Sequence, residues 1–369
     1  MDVQKIDLAL SEDRRRYDDL FEQCPQAFIQ QSTDWADVIS GMGPDEPMFL
    51  IASENSKDVA GLPLYLFRGK HGNILTSVPQ NGPLGGVFHH PSLNEAQMER
   101  AYQALLTASI DFAKQMKCLT LTIMTNPFID DRRWYECYFE PDMIFENFTQ
   151  YTVIQEVYAD GAFSLPNRQK MRSHLISVNR KCEEAHVQVG FCDSLEDWNG
   201  WYEIHQKRQT EIGAAPLSSV MAHHIFEKLI PKKKAHLLIA KKEHTVIAGI
   251  LYIRHQEIMD TLAISMDSDY RHLSPNYLIT EHSIPWAAKM GVKIYNWQSM
   301  PHRQNGVYAF KKKWGGKESL YYFMTKIFCD SSTLLDIGVH GLKEHYQGHY
   351  VVPFAALEDG FSKQFYAKA

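Results

Sequence analysis

Two side chains on one predicted helix have the types that acid–base chemistry requires. Within residues 201–208, which read WYEIHQKR, Glu203 and His205 are candidate general bases, because a carboxylate or a neutral imidazole can accept a proton near neutral pH. The GxSxG turn of hydrolases, the Walker loop and the GxGxxG dinucleotide turn do not occur in the sequence. Motifs therefore give no support to those three classes of enzyme.

Neighbouring histidines occur at His89–His90 and His223–His224, but their spacing is not that of a metal site. Adjacent residues point to different sides of a strand or helix, and no HExxH or CxxC motif accompanies them. We expect no bound metal.

The six cysteines are scattered without a CxxC pair, which is typical of a reducing compartment and predicts a cytoplasmic location.

The composition is that of a folded globular protein: 369 residues, 44% hydrophobic and 22% charged. A net charge of -6 argues against general nucleic-acid binding, so we expect no DNA partner. The charge is unevenly spread, with 12 basic and 22 acidic residues in 1–150 (net -10) and 26 basic and 22 acidic residues in 151–369 (net +4). Neither a signal peptide nor a membrane span is predicted, since no apolar stretch is long enough.

The chain contains an internal repeat. The segment MFLIASENSKDVAGLPLYL, from Met48, resembles HLLIAKKEHTVIAGILYIR, from His236. In this alignment Ala52 corresponds to Ala240, and the Ala-Gly step at 60–61 corresponds to that at 248–249. Each copy predicts a β-hairpin, because two apolar strands flank a polar turn. Duplication of one unit is the interpretation we favour over a chance match of two hairpins.

The later elements follow in the same order in both copies. A third strand (GNILTSV or MDTLAISM), a helix, a fourth strand (CLTLTIMT or VKIYNWQS) and an aromatic strand (FTQYTVIQEV or SLYYFMTKIF) are predicted. We expect Ser92 with Glu95 to cap the first helix, and Ser274 with Pro275 to begin the second. This order predicts an α/β protein with a mixed sheet in each of two domains, residues 1–155 and residues 156–369.

Both copies carry motifs that resemble a known family. In the second copy these are IAGI (247–250), MDSDYRHLSPNYL (266–278) and NGVYAFKKKWGG (305–316), and in the first copy they are STDW (32–35) and VPQNGPLGG (78–86). With these motifs the chain resembles the Fem-type (FemAB-like) peptidoglycan-bridge and related acyltransferases of the GNAT superfamily. The resemblance implies two tandem GNAT-like domains, and transfer of an acyl or aminoacyl group from a carrier to an amine.

In GNAT domains the pyrophosphate of the donor lies at the start of the helix after the central strand, where free N–H groups and the helix dipole favour an anion. The resemblance places this site at residues 271–276, with Arg271, Ser274 and Asn276 as donor-binding candidates. The glycines common in acetyl-CoA enzymes are missing from RHLSPN, and the long helical insertion of some tRNA-dependent Fem ligases has no counterpart in residues 190–235. Acyl-CoA and aminoacyl-tRNA therefore both stay open as the co-substrate, and no tightly bound cofactor is expected.

The FK motif of the family implies a catalytic role for Lys311, whose ammonium could stabilise an oxyanion or hold a phosphate. The alternative is that the KKK run at 311–313 is a solvated strand face. Trp314 is implied as a substrate contact or, alternatively, as a packing anchor. Asp267 could accept the proton of the amine, or could simply begin the turn DSD.

The remaining predicted contacts lie around the acceptor. Tyr202, His205 and Arg208 share a helix that would border the acceptor cleft of a GNAT fold. Ser299 and Asn305 could orient substrate at the end of the last strand of the motif, although turn formation explains them equally well.

Two segments have a binding or a structural explanation. The basic helix NRQKMRSHLISVNRK, residues 167–181, could face an anionic donor or acceptor or be a solvated face. The glycine-rich turn at 81–86 could approach a ligand closely or only build the turn.

The function predicted from the sequence is N-acyl transfer from acyl-CoA or aminoacyl-tRNA to an amine, possible acceptors being a cell-envelope or polysaccharide precursor. The alternative is a catalytically silent binding module for a glycan or peptide precursor. A structural role in a polysaccharide-assembly complex is a third hypothesis, and exposed aromatic residues around 321–323 would favour it. The sequence does not predict an oligomeric state.

Overall fold

The computed structural model describes residues 1–43, 45–77, 85–299, 305–358, 360–361 and 365–368. The predicted glycine-rich turn of the first copy, including residues 81–84, therefore lies largely outside the described residues. Among the residues described, no helix is both long and apolar enough to cross a membrane.

The strands of the described chain occur in both copies of the repeat and in the segments around them. In chain order they are β1 (Asp2–Ile6), β2 (Asp45–Pro47), β3 (Phe49–Glu54), β4 (Lys57–Leu62), β5 (Tyr65–Gly69), β6 (Gly72–Thr76), β7 (Phe88–His89), β8 (Cys118–Met124), β9 (Met143–Val153), β10 (Tyr158–Ala159), β11 (Ala162–Phe163), β12 (Val187–Phe191), β13 (Ala235–Lys242), β14 (Thr245–His255), β15 (Ile258–Met266), β16 (Ile294–Ser299), β17 (Lys317–Ile327) and β18 (Phe365–Lys368).

The α-helices range from single turns to long amphipathic elements. In chain order they are α1 (Ser11–Phe21), α2 (Thr33–Ile39), α3 (Glu95–Gln115), α4 (Arg132–Trp134), α5 (Ile154–Val157), α6 (Arg168–Glu184), α7 (Leu195–Glu211), α8 (Ser219–His224), α9 (Pro275–Lys289), α10 (Asn305–Lys313), α11 (Ser331–His345) and α12 (Phe354–Glu358). A 3-10 turn over Ser268–Leu273 leads into α9.

The chain divides into two compact units. The first unit contains residues 1–148 and 319–369, and the second unit contains residues 149–318. The carboxyl-terminal segment packs within the first unit, where Tyr346 contacts Phe67 and the imidazole of His349 pairs with the carboxylate of Asp45 at 2.7 Å. These units are defined by contacts, whereas the division into 1–155 and 156–369 follows the sequence repeat and stays a prediction.

The first unit has two groups of paired strands. One has the order β1-β3-β4-β7, and in the other β17 pairs antiparallel with β8, β8 parallel with β6, β6 antiparallel with β5, and β5 antiparallel with β2. In the second unit the strand order is β12-β13-β14-β15-β16, and residues 149–153 of β9 pair with β16. The pairs β6–β8 and β15–β16 are parallel because α3 and α9 connect them. The predicted mixed α/β architecture is confirmed.

The repeat is exact at the level of strand register. In the first copy Ala52 faces Ala60 and Ile51 faces Gly61, while in the second copy Ala240 faces Ala248 and Ile239 faces Gly249. Both hairpins shift register directly after the first alanine of the pair, Ala52 or Ala240. Two unrelated hairpins would have no reason to share both the pairing and the irregularity, so the predicted repeat of one structural unit is confirmed.

The two copies differ in how their second strand continues. In the second unit β14 is unbroken, whereas the equivalent stretch of the first unit is divided into β4 and β5 at Pro63. Proline has no N–H to donate and so interrupts a strand ladder. In consequence β4 pairs with the short β7, while β5 pairs with β6.

The predicted cap of the first long helix is wrong in its residues. The N-cap is Asn94 rather than Ser92, and its partner is Gln97 rather than Glu95. The Asn94 side chain accepts from the Gln97 N–H at 3.0 Å, and the Gln97 side chain accepts from the Asn94 N–H at 3.1 Å. An Asn and a Gln three residues apart satisfy the same two backbone donors as a Ser and a Glu.

Candidate functional site

A cavity of about 570 Å³ lies at the amino-terminal end of α9 in the second unit. It contains four of the residues singled out in the sequence: Arg208, Arg271, Ser274 and Asn276. Its other walls are largely apolar and are built by Ile212, Ile264, Met266, Tyr277, Val307 and Phe310, with Gln209 and Gly306. The cavity thus combines two guanidinium groups with an apolar passage.

The opening exists because β15 and β16 pair over a short distance. Their parallel register covers Ile258–Asp260 against Ile294–Asn296, and no pairing follows towards Met266 and Ser299 within the described residues. Ile264 and Met266, on the end of β15 that pairs with β14 but not with β16, line the cavity. A parallel pair that separates in this way leaves backbone groups and space for a ligand beside the following helix.

The start of α9 is not blocked by a side-chain cap. Ser274 has left-handed backbone angles (φ 56°, ψ 47°), and its hydroxyl does not cap the helix. Pro275 occupies the first helical position, as predicted, and Asn276 follows. The Asn276 Oδ1 atom is buried without a hydrogen-bond partner among the described residues. The positive end of the helix dipole therefore lies at the cavity, whereas Pro275 has no N–H, the Tyr277 N–H donates to the Ser274 carbonyl at 3.0 Å, and the Asn276 Oδ1 can only accept a hydrogen bond.

The two cations of the cavity differ in their surroundings. Arg208 forms an ion pair with Glu211 at 3.0 Å on the last turn of α7. Arg271 is exposed and has no ion pair with the described residues. Arg271 is therefore the guanidinium more available to a negatively charged ligand.

Lys311 is buried on α10 and not on a solvated strand. The residue is 3% exposed, whereas Lys312 and Lys313 on the same helix are exposed. Its ammonium donates to the carbonyl oxygen of Gln298 at 3.1 Å. Burial lowers the pKa of Lys311 to about 7, because desolvation disfavours the charged form. Lys311 is outside the cavity wall, but Phe310, the preceding residue, is part of it.

Two glutamines near Lys311 retain unused hydrogen-bonding atoms. The Oε1 of Gln150 and the Nε2 of Gln298 are buried without a partner among the described residues. Gln298 has a positive φ of 62°, and Gln150 donates at 3.5 Å to the carbonyl of Tyr308, one turn before Lys311. Sequence reasoning missed both glutamines, since residue type alone does not distinguish a buried glutamine from a solvated one.

His205 has both ring nitrogens engaged. Its Nε2 accepts from the Leu217 N–H at 3.0 Å, and its Nδ1 lies 2.9 Å from the hydroxyl of Ser265. Burial lowers the pKa of His205 to about 4, which keeps the ring neutral. The neighbouring Tyr202 donates to the carbonyl of Leu217 at 2.8 Å. Both side chains therefore hold the segment that follows α7.

Asp267 follows β15 and begins the 3-10 turn. Its carboxylate accepts from Lys207 at 3.1 Å and from the Asp269 N–H at 3.3 Å. The side chain is partly exposed. Asp267 is adjacent in sequence to Met266 of the cavity wall, and it also has the turn-forming contacts that were the alternative explanation.

The last three predicted residues lie on different elements. Ser299 ends β16, where it pairs with Thr149, and Asn305 begins α10. Trp314 is fully buried, and its ring packs against those of Phe163, Tyr277 and Phe310. These contacts are those of a packing anchor.

In the first unit, Tyr321 is fully buried and Tyr322 and Phe323 are partly buried, so the aromatic surface that would favour an assembly role is reduced.

Within the described residues, no group of three or more His, Cys, Asp or Glu side chains could hold a metal ion.

Comparison with known proteins gives a domain assignment and a fold. Residues 169–312 match the family model of the acetyltransferase (GNAT) domain. No curated protein matches the sequence at a significant level. The matched region contains the cavity, and it ends one residue after Lys311.

Solved structures resemble most of the chain at low sequence identity. FemX has a TM-score of 0.65 at 14% identity, with 88% of this chain and 97% of FemX covered. The C-terminal domain of a putative lysylphosphatidylglycerol synthetase from Agrobacterium fabrum has a TM-score of 0.55 at 11% identity. The match covers 93% of this chain and 99% of that domain. The L-PGS of Bacillus licheniformis has a TM-score of 0.53 at 9% identity. The match covers 85% of this chain and 91% of the L-PGS chain. At this identity the likeness shows a shared fold, and the GNAT assignment rests on the family model over residues 169–312.

Proposed function

From the premise that this chain is an acyltransferase of the GNAT superfamily with a Fem-like fold, we propose that it transfers an acyl or aminoacyl group to an amine at the cavity beside α9. The observation that carries the proposal is the uncapped start of α9 facing a cavity that also holds Arg208 and Arg271. An anionic carrier is the ligand that this arrangement favours.

The proposed donor would occupy this cavity in two parts. Its phosphate groups would lie at the amino-terminal end of α9, near Arg271, Ser274 and the amide of Asn276. The apolar walls formed by Ile264, Met266 and Phe310 would hold the arm that carries the acyl group. Acyl-CoA and the aminoacyl end of a charged tRNA both combine phosphate with such an arm, and the co-substrate is one of these two.

The reaction is a direct displacement at the acyl carbon. The amine nitrogen of the acceptor attacks the carbonyl carbon, and the C–N bond forms as the carbonyl oxygen gains negative charge. The C–S bond of a thioester or the C–O bond of an aminoacyl ester then breaks. The leaving group departs as a thiol or a hydroxyl after taking a proton, and the amine loses one proton.

Lys311 is the residue that we assign to the negatively charged oxygen. A buried ammonium in a water-poor site stabilises an oxyanion more than it stabilises the neutral carbonyl of the ground state. Gln298, whose backbone carbonyl accepts from Lys311, has an unpartnered Nε2 that is a second candidate donor. We propose Asp267 as the acceptor of the amine proton, and His205 as a residue that holds structure, since both of its nitrogens are already bonded.

The acceptor class is a cell-envelope precursor that carries a primary amine. FemX and the lysylphosphatidylglycerol synthetases support this choice through a shared fold. Arg208, Ser299 and Asn305 keep their predicted role as substrate contacts within this proposal, whereas the fully buried Trp314 acts as a packing anchor and Tyr202 holds the segment after α7. The second candidate function, a silent binding module, is favoured by the absence of the donor glycines from RHLSPN.

One paired assay tests the proposal. Thiol release from acetyl-CoA and label transfer from charged tRNA are measured against a panel of amines that includes amino sugars and amino-acid amides. The proposal expects turnover with one of the two donors. Silence with both donors, combined with calorimetric binding of an amine from the panel, would leave the silent binding module as the function.

A further inference from the structure

A second cavity, of about 730 Å³, runs along α6 in the second unit. Four of its lining residues are Arg168, Arg172, Ile176 and Arg180, each four positions after the last, so they follow one face of the helix. This cavity, which we term the α6 groove, shares no lining residue with the cavity beside α9. It is therefore a separate candidate site.

The charge at the start of α6 is opposite to what helix stability favours. The first turns carry Arg168, Lys170 and Arg172 and no acidic residue, although the amino-terminal end of a helix is the positive end of its dipole. The N-cap, Asn167, makes no side-chain cap hydrogen bond. Neither Arg168 nor Arg172 has an ion-pair or hydrogen-bond partner in the part of the chain that the structure describes. An anion in the groove would relieve this repulsion.

The opposite end of the α6 groove is acidic and limits the size of the anion. Glu183 and Glu281 line it, and the Asn179 amide donates to Glu281 at 2.7 Å. Arg180 lies near Glu184, at 3.7 Å. A long polyanion would meet these carboxylates, so favourable contacts are confined to the first turns. Arg168 and Arg172 are about one helical turn, roughly 6 Å, apart, which suits one diphosphate group.

The middle of the groove is apolar. Leu165, Met171 and Leu175 are buried there, Phe163 is partly buried, and Ile176 is 60% exposed. A concave apolar wall beside a cationic end matches a molecule with an organic part attached to its phosphates. A flat lipid bilayer would instead require a protruding apolar surface.

We propose that the α6 groove binds a small organic diphosphate, with the two phosphates on Arg168 and Arg172 and the organic part against Phe163 and Ile176. This site goes beyond the proposed acyl-transfer function and does not depend on it.

Calorimetry with inorganic pyrophosphate tests the proposal in an Arg271→Ala background, which removes from the cavity beside α9 the arginine that has no ion pair with the described residues and leaves Arg208 paired with Glu211. The Arg168→Gln/Arg172→Gln double variant should raise the dissociation constant about tenfold or more, because charge-assisted contacts are lost. Lys170→Gln is the matched control: the residue is in the same turn but not in the groove wall, and it should change the constant less than about twofold.

A second variant protects the test against misfolding. Ile176→Glu places a carboxylate in the groove at an exposed position, and it should weaken pyrophosphate binding to a similar extent. The preference between ADP and geranyl diphosphate then identifies the organic part as a nucleoside or as a prenyl chain.

Three results would overturn the proposal. The first is absence of pyrophosphate binding in the Arg271→Ala background, and the second is an equal loss of pyrophosphate affinity in the double variant and in Lys170→Gln. The third is binding of phosphatidylglycerol vesicles or an RNA oligomer, in place of pyrophosphate, that depends on Arg168 and Arg172. Donor turnover is measured separately with the wild type, where Arg271 is present, so failure here is distinguishable from failure of the proposed function.

Discussion

Lys311 is held in an environment that opposes its charge. It is 3% exposed, and its hydrogen bond to the Gln298 carbonyl does not compensate for the lost hydration, so its pKa falls to about 7. No carboxylate pairs with it among the described residues. A buried cation without a counter-ion is costly to the fold, and such groups commonly belong to functional sites. An oxyanion that forms during acyl transfer would supply the missing negative charge.

Replacing Lys311 by Met should lower kcat by about 10²- to 10³-fold, with a smaller change in the KM for the donor, because an interaction formed mainly in the transition state is lost. Steady-state kinetics with the active donor measure both constants. Lys312→Met is the matched control, since Lys312 is exposed on the same helix. An unchanged kcat in Lys311→Met would remove this residue from the mechanism.

The same burial predicts a pH dependence of stability. The pKa of Lys311 is about 7 in the folded protein and has the ordinary lysine value of 10.5 in the unfolded chain, so between these values the unfolded chain binds one more proton. The contribution of Lys311 to the free energy of unfolding therefore rises with pH, by up to about 1.4 kcal/mol per pH unit, and is at its minimum below pH 7. Urea denaturation at pH 6–9 measures the slope.

Lys311→Met lacks this titration, so its free energy of unfolding should exceed that of the wild type most at pH 6 and by less as the pH increases. A pH-independent difference between the two proteins would show that Lys311 has an ordinary pKa.

At the scale of elements, each hairpin of the repeat depends on a glycine that lies beneath an aromatic ring. A Cβ atom at Gly249 would overlap the ring of Trp201, and one at Gly61 would overlap the ring of Phe88. Through this close approach α7 packs against β14, whereas in the first unit Phe88 is the cross-strand neighbour of Gly61 in the β4–β7 pair. The Ala-Gly step therefore recurs because a side chain at the glycine would overlap the aromatic ring.

Gly249→Ala and Gly61→Ala should each lower the free energy of unfolding by about 1–3 kcal/mol through overpacking. Chemical denaturation measures the change. Gly190→Ala is the control, since a Cβ atom there meets no atom within 4 Å. If all three variants had equal stability, the close packing at the repeat would not be a constraint.

The elements differ in how far the sequence predicts them. The hairpins and their register followed from the Ala-Gly steps, because alternating apolar strands leave few other pairings. The residues that cap α3 did not follow from the sequence. Four residues near its start have cap-forming types, namely Ser92, Asn94, Glu95 and Gln97, and local geometry selects the pair that forms the cap. Burial of Lys311 was not predictable from the KKK run, because it depends on the packing of α10 against β16.

At the scale of the molecule, the chain repeats one structural unit and the two copies have diverged. The second unit keeps an unbroken β14, a separated β15–β16 pair and the open start of α9, whereas the first unit has Pro63 in the equivalent strand. The basic residues concentrate in 151–369, where the α9 cavity and the α6 groove both lie. The sequence did not predict that residues 319–369 belong to the first unit, because this depends on contacts between distant parts of the chain, such as that of Asp45 with His349.

Binding of the donor at the start of α9 in the second unit can be tested by comparing KM values among variants. The KM for the active donor is determined for the wild type, for Arg271→Ala, and for Arg15→Ala as a control that removes an exposed arginine of the first unit. Arg271→Ala should raise the KM about tenfold or more, through loss of a charge-assisted phosphate contact, while Arg15→Ala should leave it unchanged. Equal KM values in all three proteins would show that the donor binds elsewhere.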